Sequence, residues 1–276
     1  MKLEIKDVSF SYGKDRILFK NVSFTMDKGR IFSVLGANGA GKSTLLKCIA
    51  NLLRPCRGEI CLDGVSLHRM EQREVARKIG YVPQTHTAAY GYLVRDFVVM
   101  GRAPYLRAFE KPSGEEYRMA EEVLEEMEII HLADRPYTEL SGGEAQKVMI
   151  ARTIVQQPDI ILMDEPTNHL DYGNQMRMMK MIMKLAGKGF GILMTSHMPD
   201  HVLLLEGEVG ILNDEGEFIT GKAADIMTED NLSRLYRAKL DLVFMEELNR
   251  KICICKDVCD DYRRSEERRV GKECTA

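Results

Sequence analysis

Residues 36–44 read Gly36-Ala37-Asn38-Gly39-Ala40-Gly41-Lys42-Ser43-Thr44, the residue types and spacing of a phosphate cradle. The glycines let backbone N–H groups approach phosphate oxygens with no Cβ in the way. Lys42 is placed to reach β- and γ-phosphates, and the Ser43 hydroxyl to ligate magnesium. Further along, Asp164 and Glu165 close the apolar run Asp159-Ile160-Ile161-Leu162-Met163. Adjacent carboxylates at a strand end suit metal binding by one and water activation by the other, so Asp164 is assigned to the metal and Glu165 to the general base. The plainer reading of that pair, a solvated acidic strand end, sits poorly with a cradle upstream. A third stretch, Leu140-Ser141-Gly142-Gly143-Glu144, holds a capping box in Ser141 and Glu144. Gly142 and Gly143 fall in its first turn, where each costs up to about 1 kcal/mol against alanine. A cap alone does not need them, whereas a backbone that approaches phosphate does, and Ser141 could donate to the same oxygens.

These groups need a scaffold that brings them together. Ile31-Phe32-Ser33-Val34-Leu35 reads as a strand running into the cradle, and Leu45, Leu46, Ile49, Leu52 and Leu53 give the helix after it. Residues 2–35 suggest a largely antiparallel sheet with turns at Gly13-Lys14-Asp15 and Asp27-Lys28-Gly29, and Gly58 to Asp63-Gly64 a further strand and turn. After a short helix at 73–78 and a strand at 79–84, helical patterns dominate, including 94–100 and 115–130. Apolar runs at 159–163, 191–195 and 209–212, with a helix at 172–186, predict buried parallel strands. Strand–helix–strand alternation makes the core α/β with a mainly parallel sheet, an N-terminal antiparallel β subdomain and a helical subdomain inserted at about 85–157. Ligands in such sheets lie at the carboxyl ends of strands, where Gly36, Asp164 and His197 all fall. Residues 222–237 read as short helices.

Composition narrows the classes. A chain of 276 residues can bury a full core. A formal net charge of −3 provides no basic field for nucleic acid, which is not expected as a partner. Strand-like alternation from Leu3 argues against a signal peptide, and no apolar run approaches the roughly 18–20 residues that cross a bilayer. The seven cysteines form no paired CxxC units, so reduced thiols are expected. Cys253, Cys255 and Cys259 invite a metal-site reading, but no histidine accompanies them and the alternation around Ile254 fits one face of a strand. Met176, Met178, Met179, Met181 and Met183 read as a helix-packing surface. The stretch Arg264–Cys274 has no apolar period and resembles the translation of a DNA-sequencing adapter. We therefore divide the chain into a catalytic unit at 1–240, a C-terminal extension at 241–263, and a stretch at 264–276 that is adapter read-through or a disordered tail.

The phosphate loop, Gln84 after a strand, Leu140–Glu144, Asp164-Glu165, Asn168-His169-Leu170-Asp171 and His197 occur in the order and approximate spacing of an ATP-binding cassette ATPase, and the chain resembles that family from Met1 to about Leu240. The resemblance implies a phosphate-loop NTPase fold with ATP and Mg2+. It also implies an adenine-stacking role for Tyr12, a place for Gln84 in the magnesium shell and in sensing a partner, an interfacial aspartate in Asp171, and a γ-phosphate contact for His197. Ala37 stands where the family often has proline, and Glu144 where it often has glutamine. The resemblance further implies that two such cassettes pair head to tail, each Ser141–Gly143 segment capping the other's nucleotide. With one cassette and no span, the chain is expected at the cytoplasmic face of the membrane, bound to separate permease subunits and acting indirectly with a solute-binding protein. The stretch Val99–Leu106 is similar to that of iron-siderophore, haem and cobalamin importers. Ribosome-acting cassette proteins normally carry two cassettes, and DNA-repair types split theirs with a coiled coil; an exporter remains an alternative, because energy chemistry does not encode direction.

Overall fold

The structure is a computed structural model that describes residues 1–13, 17–84 and 91–255. Alternating burial organises the first layer. β1 (Lys2–Ser11) and β2 (Ile17–Asp27) pair antiparallel from Lys2↔Asp27 and turn Leu3, Ile5, Phe19 and Phe24 inward. After the turn at Lys28-Gly29 come β3 (Ile31–Leu35), buried beyond its first residue, and α1 (Lys42–Ile49). α1 is shorter than the apolar period suggested: Asn51 enters the left-handed region at φ 57°, and Leu52 is left exposed. β4 (Arg57–Leu62) and β5 (Val65–Ser66) complete a sheet of order β2-β1-β4-β5.

α2 (Gln72–Lys78) and β6 (Ile79–Val82) lead into the helical stretch. There α3 (Val94–Val99), α4 (Gly114–Glu126) and α5 (Gly142–Val155) share a core that includes Phe97, Leu124 and Val148. α4 stops at Glu126, four residues before the periodicity does, and Glu128 takes a positive φ of 60° just beyond it. The chain returns through β7 (Ile160–Met163), α6 (Tyr172–Gly187), β8 (Gly191–Ser196), α7 (Pro199–Leu205), β9 (Glu208–Leu212) and β10 (Phe218–Lys222). On α6, Met178 and Met179 are buried in the core and Met176 and Met181 pack against it.

Among the described residues the main sheet has the order β10-β9-β3-β8-β7-β6, parallel except for β10. This is the mainly parallel α/β core expected, with the antiparallel sheet beside it. Its registers Leu35↔Ser196, Leu35↔Ile211 and Val82↔Met163 bring the carboxyl ends of five strands to one edge. Beyond β10 lie α8 (Ala223–Ile226), α9 (Glu229–Tyr236) and a hairpin of β11 (Leu240–Met245) and β12 (Arg250–Cys255). Cys253 and Cys255 share a face of β12, as the alternation implied; Cys259 and the adapter-like stretch lie outside the described residues. Among those residues no helix is long and apolar enough to cross a membrane.

Candidate active site

The loop after β3 is shaped by backbone crowding. A Cβ on Gly36 would stand 2.6 Å from the Leu212 carbonyl oxygen, and Gly41, at φ 105°, has Leu18 Cγ 2.8 Å from where its Cβ would be. Both positions therefore select glycine sterically. Gly39 also has a positive φ, at 86°. Lys42 opens α1 and folds back under the loop, its Nζ donating to the carbonyls of Gly36 at 2.8 Å and Ala37 at 2.9 Å. The same ammonium lies 3.0 Å from Glu165 Oε1, and both side chains are buried.

Asp164 and Glu165 leave the end of β7 in different directions. Asp164 Oδ1 accepts from Ser43 Oγ at 2.9 Å and from Thr195 Oγ1 at 2.9 Å, while Oδ2 accepts from the Tyr81 hydroxyl at 3.3 Å. Glu165 is a non-glycine residue at φ 45°, a conformation that costs roughly 1–2 kcal/mol and persists where the surroundings enforce it. Its N–H is held by Thr195 Oγ1 at 2.8 Å, and its Oε2 meets His197 Nδ1 at 2.6 Å. Burial pushes the Glu165 carboxyl up, but hydrogen bonds and charge from Lys42 and then His197 outweigh it and hold the group below the usual carboxylate range. Glu165 is thus ionised at neutral pH, and Lys42 quenches its basicity.

Sequence reading missed Thr195 and Tyr81. The only signal for Thr195 was a hydroxyl at the polar end of the apolar strand 191–196; for Tyr81, a phenol inside β6.

Among the remaining predicted residues, Tyr12 is hydrogen-bonded to the end of the phosphate loop. Tyr12 is 60% exposed, with its hydroxyl 3.1 Å from Thr44 Oγ1 and its ring edge-on to Phe10. Gln84 is exposed two residues past Val82, whose carbonyl accepts from the Asp164 N–H. Asp171 caps α6 by accepting from Asn174 N at 2.8 Å. Ser141 caps α5, its hydroxyl on Glu144 Oε2 at 2.6 Å, so the capping box forms. Gly142 has nothing within 4 Å of a would-be Cβ, so its own chain does not require glycine there. Among the described residues, no hydrogen bond or ion pair joins 141–144 to 36–44.

The donor set fits a hard cation: Ser43 and Asp164 present a hydroxyl and a carboxylate oxygen in contact beside the loop. A depression of about 1000 Å3 lies at the opposite edge, lined by Arg30 just ahead of β3, by Ile31 at its start and by Glu208 at the start of β9. None of the residues above lines it, and in a parallel sheet it is the carboxyl edge that holds ligand.

The family profile described as "ABC transporter" matches residues 19–168. The chain is 35% identical to the molybdate import ATP-binding protein of Haemophilus influenzae, over 85% of this chain and 87% of that one. It is 30% identical to the iron(3+)-hydroxamate import ATP-binding protein of Bacillus subtilis, over 93% and 95% of the two chains. Among solved structures, one of a metal-chelate type ABC transporter in an inward-facing conformation superposes with a TM-score of 0.81 at 32% identity, covering 93% of this chain and 98% of the other.

Proposed function

This chain belongs to the ABC transporter family, and from that premise we propose that it hydrolyses ATP to drive an importer of chelated iron, such as a ferric siderophore. The observation that carries the cargo is the near full-length likeness to a transporter of metal-chelate type, seconded by the hydroxamate relative. Haem and cobalamin are chelated metals of the same kind. The molybdate relative favours a second reading, an oxyanion importer. The test is to purify the chain with the permease subunits that copurify with it, reconstitute them in vesicles, and follow ATP-dependent uptake of a labelled ferric siderophore and of molybdate. Accumulation of molybdate alone overturns the first reading. Copurification with ribosomes or DNA in place of a permease overturns both.

The proposed chemistry starts from the buried cluster. In this reading residues 36–44 wrap the phosphates and Tyr12 takes the adenine. Ser43, Asp164 and Gln84 would hold magnesium, which would neutralise phosphate charge when bound. Lys42, drawn to the phosphates, gives up Glu165, whose carboxylate then recovers the basicity needed to take a proton from water. His197, on the other carboxylate oxygen, orients that group and faces the γ-phosphate. The base is thereby tied to nucleotide: without it, Lys42 holds Glu165 silent.

Ser141, Gly142 and Gly143 complete the site of a second copy, with Asp171 at the same interface. What supports this is the open space at Gly142 and the lack, among the described residues, of any hydrogen bond or ion pair from this segment to its own phosphate loop. Gly142→Ala should therefore fold as well as wild type, or better by up to about 1 kcal/mol, because alanine is the stronger helix former. ATP turnover should nonetheless fall at least tenfold, because the added methyl obstructs the partner's phosphate. Urea unfolding and a phosphate-release assay on one preparation decide it; unchanged turnover removes the segment from the site.

Permease docking is proposed at the helical face. A groove of about 370 Å3 runs between Gln72 and Tyr81 on one side and Met100, Gly101, Ala103 and Pro104 on the other. Its wall continues from β6 towards Gln84. A permease segment seated there would place this chain peripherally at the cytoplasmic face of the membrane, with the solute-binding protein acting only through the permease.

A further inference from the structure

The segment after β8 is gripped by the end of the chain. Tyr236, the last residue of α9, donates its hydroxyl to the His197 carbonyl at 2.7 Å. Arg237, at φ 54°, ends the helix immediately afterwards and turns the chain towards β11. The hairpin is stitched to α9 by Ser233 Oγ, which accepts from Leu240 N at 3.1 Å, and by Glu229 Oε1, which accepts from Leu242 N at 2.9 Å. On its other side Asp200 of α7 accepts from Cys253 N at 2.9 Å. One residue further, the buried His201 meets Thr167 Oγ1 at 3.2 Å, in the turn that follows Glu165. The His197 backbone thus lies between a clamp made by the C-terminal elements and a ring that touches Glu165.

We propose that Tyr236 is a positioning residue for ATP hydrolysis: its hydroxyl fixes the His197 peptide, and through it the imidazole against the Glu165 carboxylate. His197 is the first residue beyond the last paired residue of β8, so the sheet no longer holds its carbonyl. The N–H of the same peptide, from Met198, donates to Ser196 Oγ at 3.0 Å, so loss of the tyrosine hydroxyl leaves the carbonyl side unanchored, and a small displacement of the ring breaks a 2.6 Å contact. Positioning errors of this size lower rate more than binding, because the contact matters in the reacting complex. Burial pushes the Tyr236 hydroxyl up, so it stays protonated and remains the donor across the working pH range. The inference rests on the proposed roles of Glu165 and His197, and it makes α9 and the hairpin part of the catalytic apparatus.

Tyr236→Phe in the full chain removes one hydroxyl and keeps the ring. Its kcat for ATP should fall about 3- to 10-fold, the scale of one lost hydrogen bond, with KM unchanged within about twofold. His197→Ala should cost more, and adding Tyr236→Phe to it should cost nothing further, because the tyrosine acts through the histidine. A kcat at the wild-type level in Tyr236→Phe, with Glu165→Gln inactive, overturns the role of Tyr236 alone. Full additivity with His197→Ala overturns the route through His197. A raised KM with unchanged kcat identifies a merely structural contact and also overturns the proposal. Wild-type turnover in Glu165→Gln overturns the underlying assignment, and this inference with it.

Discussion

Replacing Glu165 by glutamine should leave ATP binding intact and lower turnover by about 10²- to 10⁴-fold, the usual contribution of a positioned base. The amide keeps the shape of the carboxylate and can still accept from Lys42 or His197, so the phosphate loop is not disturbed. What disappears is the group proposed to take the proton. With hydrolysis stopped, ATP persists between two chains, and light scattering should show the mass of Glu165→Gln doubling when ATP and magnesium are added. Single-turnover hydrolysis and scattering test the two halves separately. Wild-type turnover would show that Glu165 is not the base; a monomer at saturating nucleotide would count against the paired site while leaving the base in place.

Replacing Lys42 by methionine should abolish measurable ATP binding and also destabilise the nucleotide-free protein. Lys42 and Glu165 are 5% and 6% exposed and 3.0 Å apart, so the change strands a buried carboxylate whose remaining partner among the described residues is His197. Breaking such a pair from one side costs about 3–5 kcal/mol. The pH dependence carries the signature. In the wild type the folded-state pKa of Glu165 lies below its unfolded value. Its stabilisation is therefore present above the ordinary carboxylate range and lost as pH falls through the lowered value. In Lys42→Met the lowering influence of lysine is gone and burial pushes the group up, so the mutant gains stability relative to wild type on acidification. Urea unfolding across the acid range reads the difference. The double variant with Glu165→Gln should recover most of the loss, because neither buried charge remains. Equal stability of Lys42→Met and wild type at neutral pH would show that the pair contributes nothing.

The parts of this site that could be read from sequence are those whose chemistry is contiguous. The phosphate loop, Asp164-Glu165 and Ser141–Glu144 each declare themselves within nine residues, and the apolar runs beside the first two place them at strand ends, while the capping box places the third at a helix start. What could not be read is what those residues do to one another. The Lys42–Glu165 pair joins positions far apart in the chain, and Thr195 reaches both Asp164 and Glu165 only because β8 lies beside β7. Strand order is a product of long-range pairing, and no local pattern reports it. Nothing in the short helical pattern at 222–237 singles out Tyr236; its bond to the His197 carbonyl forms only when α9 reaches the segment after β8. The two misjudged helix ends share a cause, since apolar spacing continues through Leu53 and Ile130 while Asn51 and Glu128 turn the backbone left-handed first.

The proposed completion of each phosphate loop by the Ser141–Gly143 segment of a second chain has a kinetic consequence. If each complete site needs two chains, the free protein is a bimolecular catalyst, and its specific activity rises with its own concentration until pairing saturates. A permease that holds two copies side by side replaces that encounter with an effective concentration on the order of millimolar. Docking then raises the rate without changing a single contact at the nucleotide. Copies that have not found a permease are left dilute, and their ATP consumption stays low for that reason alone.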